Sequence, residues 1–309
     1  MTYDYSKAQS PKADIHKEVT DQIISLLDQV NLDDYQPPFA SLSAMGLPSN
    51  PTTQKHYQGV NILALWFNQQ ARKFTSNQWA TFQQWKEAGA QVRKGEKGSR
   101  VIFYKTLLKS EDVGNGEQKD VKIPMLRLFT VFNANQVDGF DQENKIAPDV
   151  DLAKRITLVD EFSKNTGADI RTGGNEAYYD IKNDYISMPE TSSFLDTPEI
   201  SATEHYYSTL LHELTHWTGA KQRLDRHHTT METKKEDYAF EELIAELGAA
   251  FLCAQQGVTQ VMPKNHAIYI KSWLRALKDD KTHIFKASAQ AAKAVDFLNN
   301  LQGAPNHDV

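Results

Sequence analysis

The sequence predicts an α+β protein, and three observations carry that reading. Apolar residues recur at helical spacing in both halves, beginning with Ile15, Val19, Ile23, Leu26, Leu27 and Val30. Two Val-, Ile- and Phe-rich runs, VRKGEKGSRVIFYKTLL and VKIPMLRLFTVFNANQV, break that period and flank the polar EDVGNGEQKD. The charge balance then changes near residue 145, which in a chain of 309 residues predicts two domains, 1–145 and 150–309.

Taken in order, residues 1–12 read as a polar tail and 13–31 as a first helix. Gln36-Pro37-Pro38 and Leu47-Pro48-Ser49-Asn50-Pro51 punctuate a loop. Helices follow over 60–73 and 76–88, the second with Ser76 as its N-cap and Gly89 as its stop. The two β-rich runs then form a long hairpin or small antiparallel sheet, so the first domain is mixed. Lys145–Asp151, with Pro148, reads as the boundary. Beyond it come a helix over 151–165 stopped by Gly167, short strands around 168–171 and 178–188, and helices near 199–218, 237–256, 264–279 and 283–300. The second strand region is expected to turn at Asn183-Asp184 and end at Pro189. The second domain is therefore mainly helical with a small sheet.

Composition excludes several classes. With 40% hydrophobic and 24% charged residues the chain is not wholly disordered. No apolar run approaches a membrane span, and the mean hydropathy of -0.57 agrees, so no membrane partner is expected. The polar start lacks a signal peptide's apolar core, and the single Cys253 permits no internal disulfide, so a cytoplasmic location is expected. The net charge of -6 hides an asymmetry: residues 1–145 carry +1 and residues 146–309 carry -7. Within the first half, residues 86–109 hold seven basic and two acidic side chains, a local concentration that suits an anion.

The strongest chemical signal is His212-Glu213-Leu214-Thr215-His216 inside a helical pattern. A spacing of four puts both imidazoles on one face, one turn apart, where each can give a nitrogen to one Zn²⁺. Glu213, about 100° round the helix, sits beside such a metal and can take a proton from water. A catalytic zinc needs a third protein ligand. The next helix offers Glu242, 26 residues after His216, with Glu246 on the same face. One of that pair can ligate while the other orients a ligating histidine, and Glu241 is the rival. Tyr238 shares Glu242's face and could polarise a substrate carbonyl, although packing is the default for a tyrosine there. His205 lies about 10 Å along the helix from His212, too far to share a metal. His227 and His228 fall in the charged connector RLDRHHTTMETKKED, and Cys253 reads as a buried thiol.

In the basic segment, Arg93, Lys94, Lys97, Arg100 and Lys105 are the candidate phosphate contacts. Trp79 and Trp85 are candidate stacking platforms, with Phe82, Phe103 and Tyr104 nearby. Basic grooves with aromatic faces suit single-stranded nucleic acid, and Lys94–Gly98 reads as a tight glycine turn whose N–H groups can approach phosphate. The helical spacing of Trp79, Phe82 and Trp85 equally suits a core face.

Whole stretches of the chain resemble a known family. Asn50-Pro51-Thr52-Thr53, His56-Tyr57-Gln58-Gly59-Val60-Asn61, Trp79-Ala80-Thr81-Phe82 and Gly89 through Gly98 resemble the N-terminal domain of the ArdC antirestriction family, which also occurs in TraC-type plasmid primases. Leu210–Gly219 and Glu241–Leu247 resemble the zincin-like peptidase domain these proteins carry. The likeness implies a single-stranded-DNA-binding domain joined to a metallopeptidase-like domain, in a protein that protects incoming plasmid DNA from host restriction. It adds Tyr57 and Asn61 to the DNA-contact candidates. In the gluzincin type of peptidase, which the second half resembles, the first carboxylate of a Glu-x-x-x-Asp/Glu pair is the ligand. That implies Glu242 on Zn²⁺ or Mn²⁺ and Glu246 behind a histidine. Zincin geometry also implies that Tyr185–Met188 is an edge strand pairing with extended peptide. The chain departs from the family's usual pattern at Thr53-Gln54 and Gly89-Ala90, where Thr-Gly and paired glycines are usual. Two other classes stay open: a cytoplasmic metallopeptidase whose first domain recognises protein, and a DNA-binding protein whose metal is not catalytic.

Overall fold

The computed structural model describes residues 15–28, 39–112, 118–140, 152–197, 200–226, 235–260 and 270–303. The tail at 1–12, the boundary at Lys145–Asp151 and the histidines His227 and His228 lie outside the described residues. The architecture is α+β, with helices and small, mainly antiparallel sheets.

The first half runs α1 (Ile15–Asp28), α2 (Ala40–Ser43), β1 (Ser49–Asn50), β2 (Lys55–His56), α3 (Val60–Arg72), β3 (Trp79–Thr81), α4 (Phe82–Glu87), β4 (Gln91–Val92), β5 (Ser99–Asp112), β6 (Gln118–Asn133) and β7 (Val137–Asp138). Helix α3 is buried on most of its surface, through Ile62, Leu63, Ala64, Leu65, Trp66 and Phe67. Gly59 starts it at φ 55, a conformation that penalises any side chain. The long hairpin is present as β5 and β6, antiparallel from Ser99↔Val131 to Asp112↔Gln118, with β3 added beyond β6. Asn61 fastens α3 to this sheet: its amide accepts from Ile102 N–H and donates to Ile102 C=O, both at 2.8 Å.

One predicted helix starts later than its apolar period suggested. Residues 79–81 are a strand and α4 begins at Phe82, capped by a reciprocal pair in which Thr81 Oγ1 accepts from Gln84 N–H while Gln84 Oε1 accepts from Thr81 N–H. Ser76 instead accepts from Gln78 N–H in a local turn. The Thr81-x-x-Gln84 spacing is itself a cap signal, and it outranks the apolar period.

The second half contains α5 (Leu152–Asn165), β8 (Asp169–Thr172), β9 (Tyr178–Asp180), β10 (Tyr185–Met188), α6 (Ala202–Trp217), α7 (Lys235–Gln256), α8 (Ile270–Asp279) and α9 (His283–Asn300). The expected turn is present, with Asp184 at φ 55. The expected edge strand is not an edge. Strand β10 lies in the middle of the order β8-β10-β9, parallel to β8 and antiparallel to β9, so its backbone is already paired on both sides.

Helix α6 starts at a Ser201–Glu204 capping box. Helix α7 approaches it closely at Gly248, where an added Cβ would lie 2.5 Å from Thr215 Cγ2. A larger residue would force apart the two helices that carry the HExxH motif and the Glu pair. The main cluster of buried apolar residues takes Leu63 and Trp66 from α3 and Ile102 from β5, together with Leu214, Phe251, Trp273 and Leu298. Trp66 and Phe251 meet with ring centroids 5.8 Å apart, so the two halves share a core. No helix among the described residues is long and apolar enough to cross a membrane.

Candidate metal centre

Helix α6 buries His212 (2% exposed), Glu213 (4%) and His216 (9%), and α7 brings Glu242 (2%) against them. His212 Nε2 and His216 Nε2 lie 3.1 Å apart. Glu242 places Oε2 3.6 Å from His212 Nε2 and Oε1 3.6 Å from His216 Nε2. Among the described residues these three side chains form the group of His, Cys, Asp or Glu ligand atoms lying within 4.8 Å of one another.

The far side of each imidazole is also held. His212 Nδ1 lies 3.4 Å from Glu246 Oε1, and His216 Nδ1 lies 3.2 Å from Glu241 Oε1. A neutral imidazole that donates from Nδ1 to a carboxylate keeps its lone pair on Nε2. Two such lone pairs and a carboxylate therefore converge on one point, a repulsive arrangement unless a cation or proton lies among them. Donors about 2.0–2.1 Å from one tetrahedral ion are about 3.3–3.4 Å from each other, and the observed separations bracket that spacing. The nitrogen and oxygen donor set suits Zn²⁺ or Mn²⁺.

The same electrostatics appear in the proton affinities. Burial works against the charged form of His212, but Glu246, Glu242 and Glu213 outweigh it and push its pKa up to about 9. Burial likewise opposes protonation of His216, and Glu241 and Glu242 override it, raising its pKa. For Glu241 burial favours the neutral acid, yet His216 and Arg226 hold the carboxyl at about 2.

Glu241 does more than the sequence suggested. It is the buried partner of His216, and Arg226 grips it through Nη2 at 2.9 Å and Nε at 3.2 Å. Arg226 also donates to Thr218 Oγ1 at 2.8 Å and Thr215 C=O at 2.7 Å, tying the end of α6 to the same carboxylate. On the other side, Gln260 donates to Glu246 Oε2 at 3.3 Å and to its C=O at 3.0 Å. Neither Arg226 nor Gln260 was a sequence candidate. Arg226 sits in a charged connector where solvated side chains are the rule, so no local signal singled it out. Tyr238, one turn before Glu242, is 44% exposed rather than packed. His205 stands apart from the cluster. Cys253 is fully buried 3.8 Å from Ser208 Oγ, and burial pushes its thiol up to about 12, which removes it as a nucleophile.

The first-half candidates separate into two kinds. Trp79 and Trp85 are fully buried, with Trp85 Nε1 donating to Phe132 C=O, so neither can offer a face to a base. Their expected role as platforms is corrected: they are core. Tyr57 donates its hydroxyl to Trp79 C=O and Asn61 spends its amide on Ile102, so both serve the fold. Arg93 is a strut whose guanidinium reaches Glu96 at 3.0 Å, Asp138 at 3.4 Å, Val137 C=O at 3.3 Å and Asn135 C=O. Lys94, Lys97 and Arg100 are exposed and make no ion pair among the described residues. Lys105 lies in β5, its side chain outside the described residues. Among the described residues of the first half, the exposed aromatics include Phe82, Phe103 and Phe129.

Comparison with known proteins follows the same division. Residues 13–132 match the family described as the N-terminal domain of anti-restriction factor ArdC, and residues 157–290 match the zincin-like metallopeptidase family. The chain is 39% identical to the Sinorhizobium fredii protein y4eC, over 95% of this chain and 94% of that protein. It is 33% identical to DNA primase TraC of Escherichia coli over 93% of this chain, which spans 27% of the primase. The crystal structure of antirestriction protein ArdC from plasmid R388 in its metal-free form superposes with a TM-score of 0.73 at 40% identity, covering 94% of this chain and 98% of that one. Its Mn(II)-bound structure gives the same TM-score at 39% identity, covering 96% and 100%.

Proposed function

We propose a function from one premise: the chain belongs to the ArdC family of antirestriction proteins. On our reading it acts in the cytoplasm on incoming plasmid DNA. Residues 1–145 bind single-stranded DNA through exposed cations, and residues 150–309 carry a metal-dependent peptidase-type centre that acts on a protein or peptide. The observation that carries the second half is the convergence of His212, His216 and Glu242 with a carboxylate behind each imidazole.

In this reading His212, His216 and Glu242 hold Zn²⁺, or Mn²⁺ in its place. The ion, when bound, supplies Lewis acidity to a substrate carbonyl. Glu246 and Glu241 fix the ring orientations of His212 and His216, and Arg226 fixes Glu241. Glu213, buried and adjacent to His212, takes the proton from the attacking water and returns it to the leaving amine. A purely structural metal site needs no such base, so Glu213 separates the two uses.

The test is elemental analysis of the purified chain with hydrolysis of labelled unfolded casein. Glu213→Gln should keep the metal and slow hydrolysis by about 10²–10⁴, the contribution of a positioned base. Undiminished cleavage by that variant removes the mechanism. For the DNA half, log affinity for single strands should fall with log salt concentration with a slope of about -0.7 per neutralised phosphate. Lys97→Glu with Arg100→Glu should flatten that slope, while Glu213→Gln leaves it unchanged.

A further inference from the structure

Beside the basic turn lies an open cleft of about 530 Å³, lined by Phe82, Val92, Arg93, Lys94, Gly95 and Phe132 among others. Its size falls within the range of sites that hold one small aromatic molecule, roughly 300–1,000 Å³. Phe82, the first residue of α4, is 47% exposed, and Phe132 meets it edge to face with centroids 6.5 Å apart at 72°. That contact fixes the ring while leaving much of it in water.

The charges around the cleft are sorted. Its two carboxylates, Glu96 and Asp138, are both held by Arg93, and Glu96 also accepts from Gln136 at 2.9 Å. Lys94 makes no ion pair among the described residues. Gly95 turns the loop at φ 90 with open space where a side chain would be. Register continues the surface. Thr130 shares a sheet face with Phe132 and pairs with Arg100, and both Thr130 and Arg100 are exposed. An aromatic ring, a cleft with room for a base and two cations without an ion pair among the described residues therefore lie along one face.

We propose that this cleft seats one unpaired base of single-stranded DNA on Phe82, with flanking phosphates at Lys94 and Arg100. The inference rests on the DNA-binding reading above and names the subsite that makes binding depend on bases as well as charge. It also replaces the buried Trp79 and Trp85 with a ring that a base can reach.

The experiment is anisotropy titration of the full chain with a labelled oligothymidylate of about 12 nucleotides and a matched strand abasic throughout. Wild type should bind the base-bearing strand about 5- to 150-fold more tightly, the value of one stacked base. Phe82→Ala should remove at least about fivefold of that preference without changing affinity for the abasic strand, and Phe82→Trp should restore it. Lys94→Glu should weaken both strands alike. An unchanged melting temperature for Phe82→Ala confirms that this exposed position is not a folding determinant. If wild type binds both strands and Phe82→Ala keeps the full preference, the subsite is wrong and the DNA reading survives. If wild type binds neither strand at about 50 mM salt, the DNA reading fails and the subsite with it.

Discussion

The metal centre and the basic cleft use charge in opposite ways. At the centre, Glu241 and Arg226 are both 5% exposed at their side chains, and Glu241, Glu242 and Glu246 each face an imidazole or a guanidinium. Around the cleft, Arg93 occupies the acids, while Lys94, Lys97 and Arg100 face water. A buried charge is tolerated only in a satisfied network, so the centre constrains many residues at once. A surface cation costs nothing to leave open, and that openness is what a phosphate needs. The difference teaches that the two sites should fail differently: the centre all at once, the cleft by degrees.

The largest expected effect comes from the ligands. His212→Ala or Glu242→Ala should abolish stoichiometric metal in elemental analysis. Glu241→Ala should retain it with weaker affinity, because Glu241 touches His216 at Nδ1 and lies behind the ligand. If Glu242→Ala keeps full metal while Glu241→Ala loses it, the assignment of the third ligand is reversed. Neither variant should alter single-strand affinity, and a loss of DNA binding in both would break the comparison by coupling the two sites.

Arg226 gives the next effect. Arg226→Met leaves Glu241 buried without its guanidinium, a disruption worth about 3–5 kcal/mol for a broken buried pair. Metal affinity, read by competition with a chromophoric chelator, should fall about 10- to 100-fold, as expected for a residue that orients a ligand. A Co²⁺ absorption spectrum should also shift as His216 loses its fixed orientation. Arg226→Lys keeps the charge but not the fork that reaches Glu241, Thr218 and Thr215 together, so its rescue should be partial.

The same contrast explains what could be read from the chain. His212, Glu213 and His216 were legible because a helix converts a spacing of four into shared direction. The next helix offered Glu241, Glu242 and Glu246 without choosing among them, and the family resemblance rather than helix geometry singled out Glu242. The β5–β6 hairpin was legible from its period and its polar turn. Arg226 was not, since it reaches the centre from a connector whose path no local pattern fixes. Trp79 and Trp85 were ambiguous for a related reason: a tryptophan suits a core and a stacking platform equally, and only the fold says which side meets water. The central place of β10 was hidden because pairing order between short strands is a tertiary property.

The smallest effect lies away from both sites and serves as their control. Arg223 clamps the β9–β10 turn to the end of α6, donating to Asp184, to Tyr179 Oη at 3.0 Å and to Trp217 C=O, with its guanidinium 3.9 Å above the Trp217 ring. Chiefly through the hydrogen bonds from Arg223, against a desolvation cost, the Asp184 carboxyl is held below its ordinary value of 3.8. A carboxylate with a depressed folded pKa contributes stability that is present above its unfolded pKa and lost as pH falls through the folded one. The clamp should thus be intact near neutrality and weaken only below about pH 3.8. Because Asp184 is 38% exposed, solvent screening limits the pair to about 1 kcal/mol. Melting temperatures between about pH 3 and 6 should show Asp184→Asn lower than wild type by about 2 °C at the upper end, with the gap closing as the acid limb is approached. Metal content and single-strand affinity at neutral pH should be unchanged in this variant. A fall in metal affinity comparable to that of Arg226→Met would mean that the hairpin clamp, and not the Arg226–Glu241 pair alone, sets the position of His216.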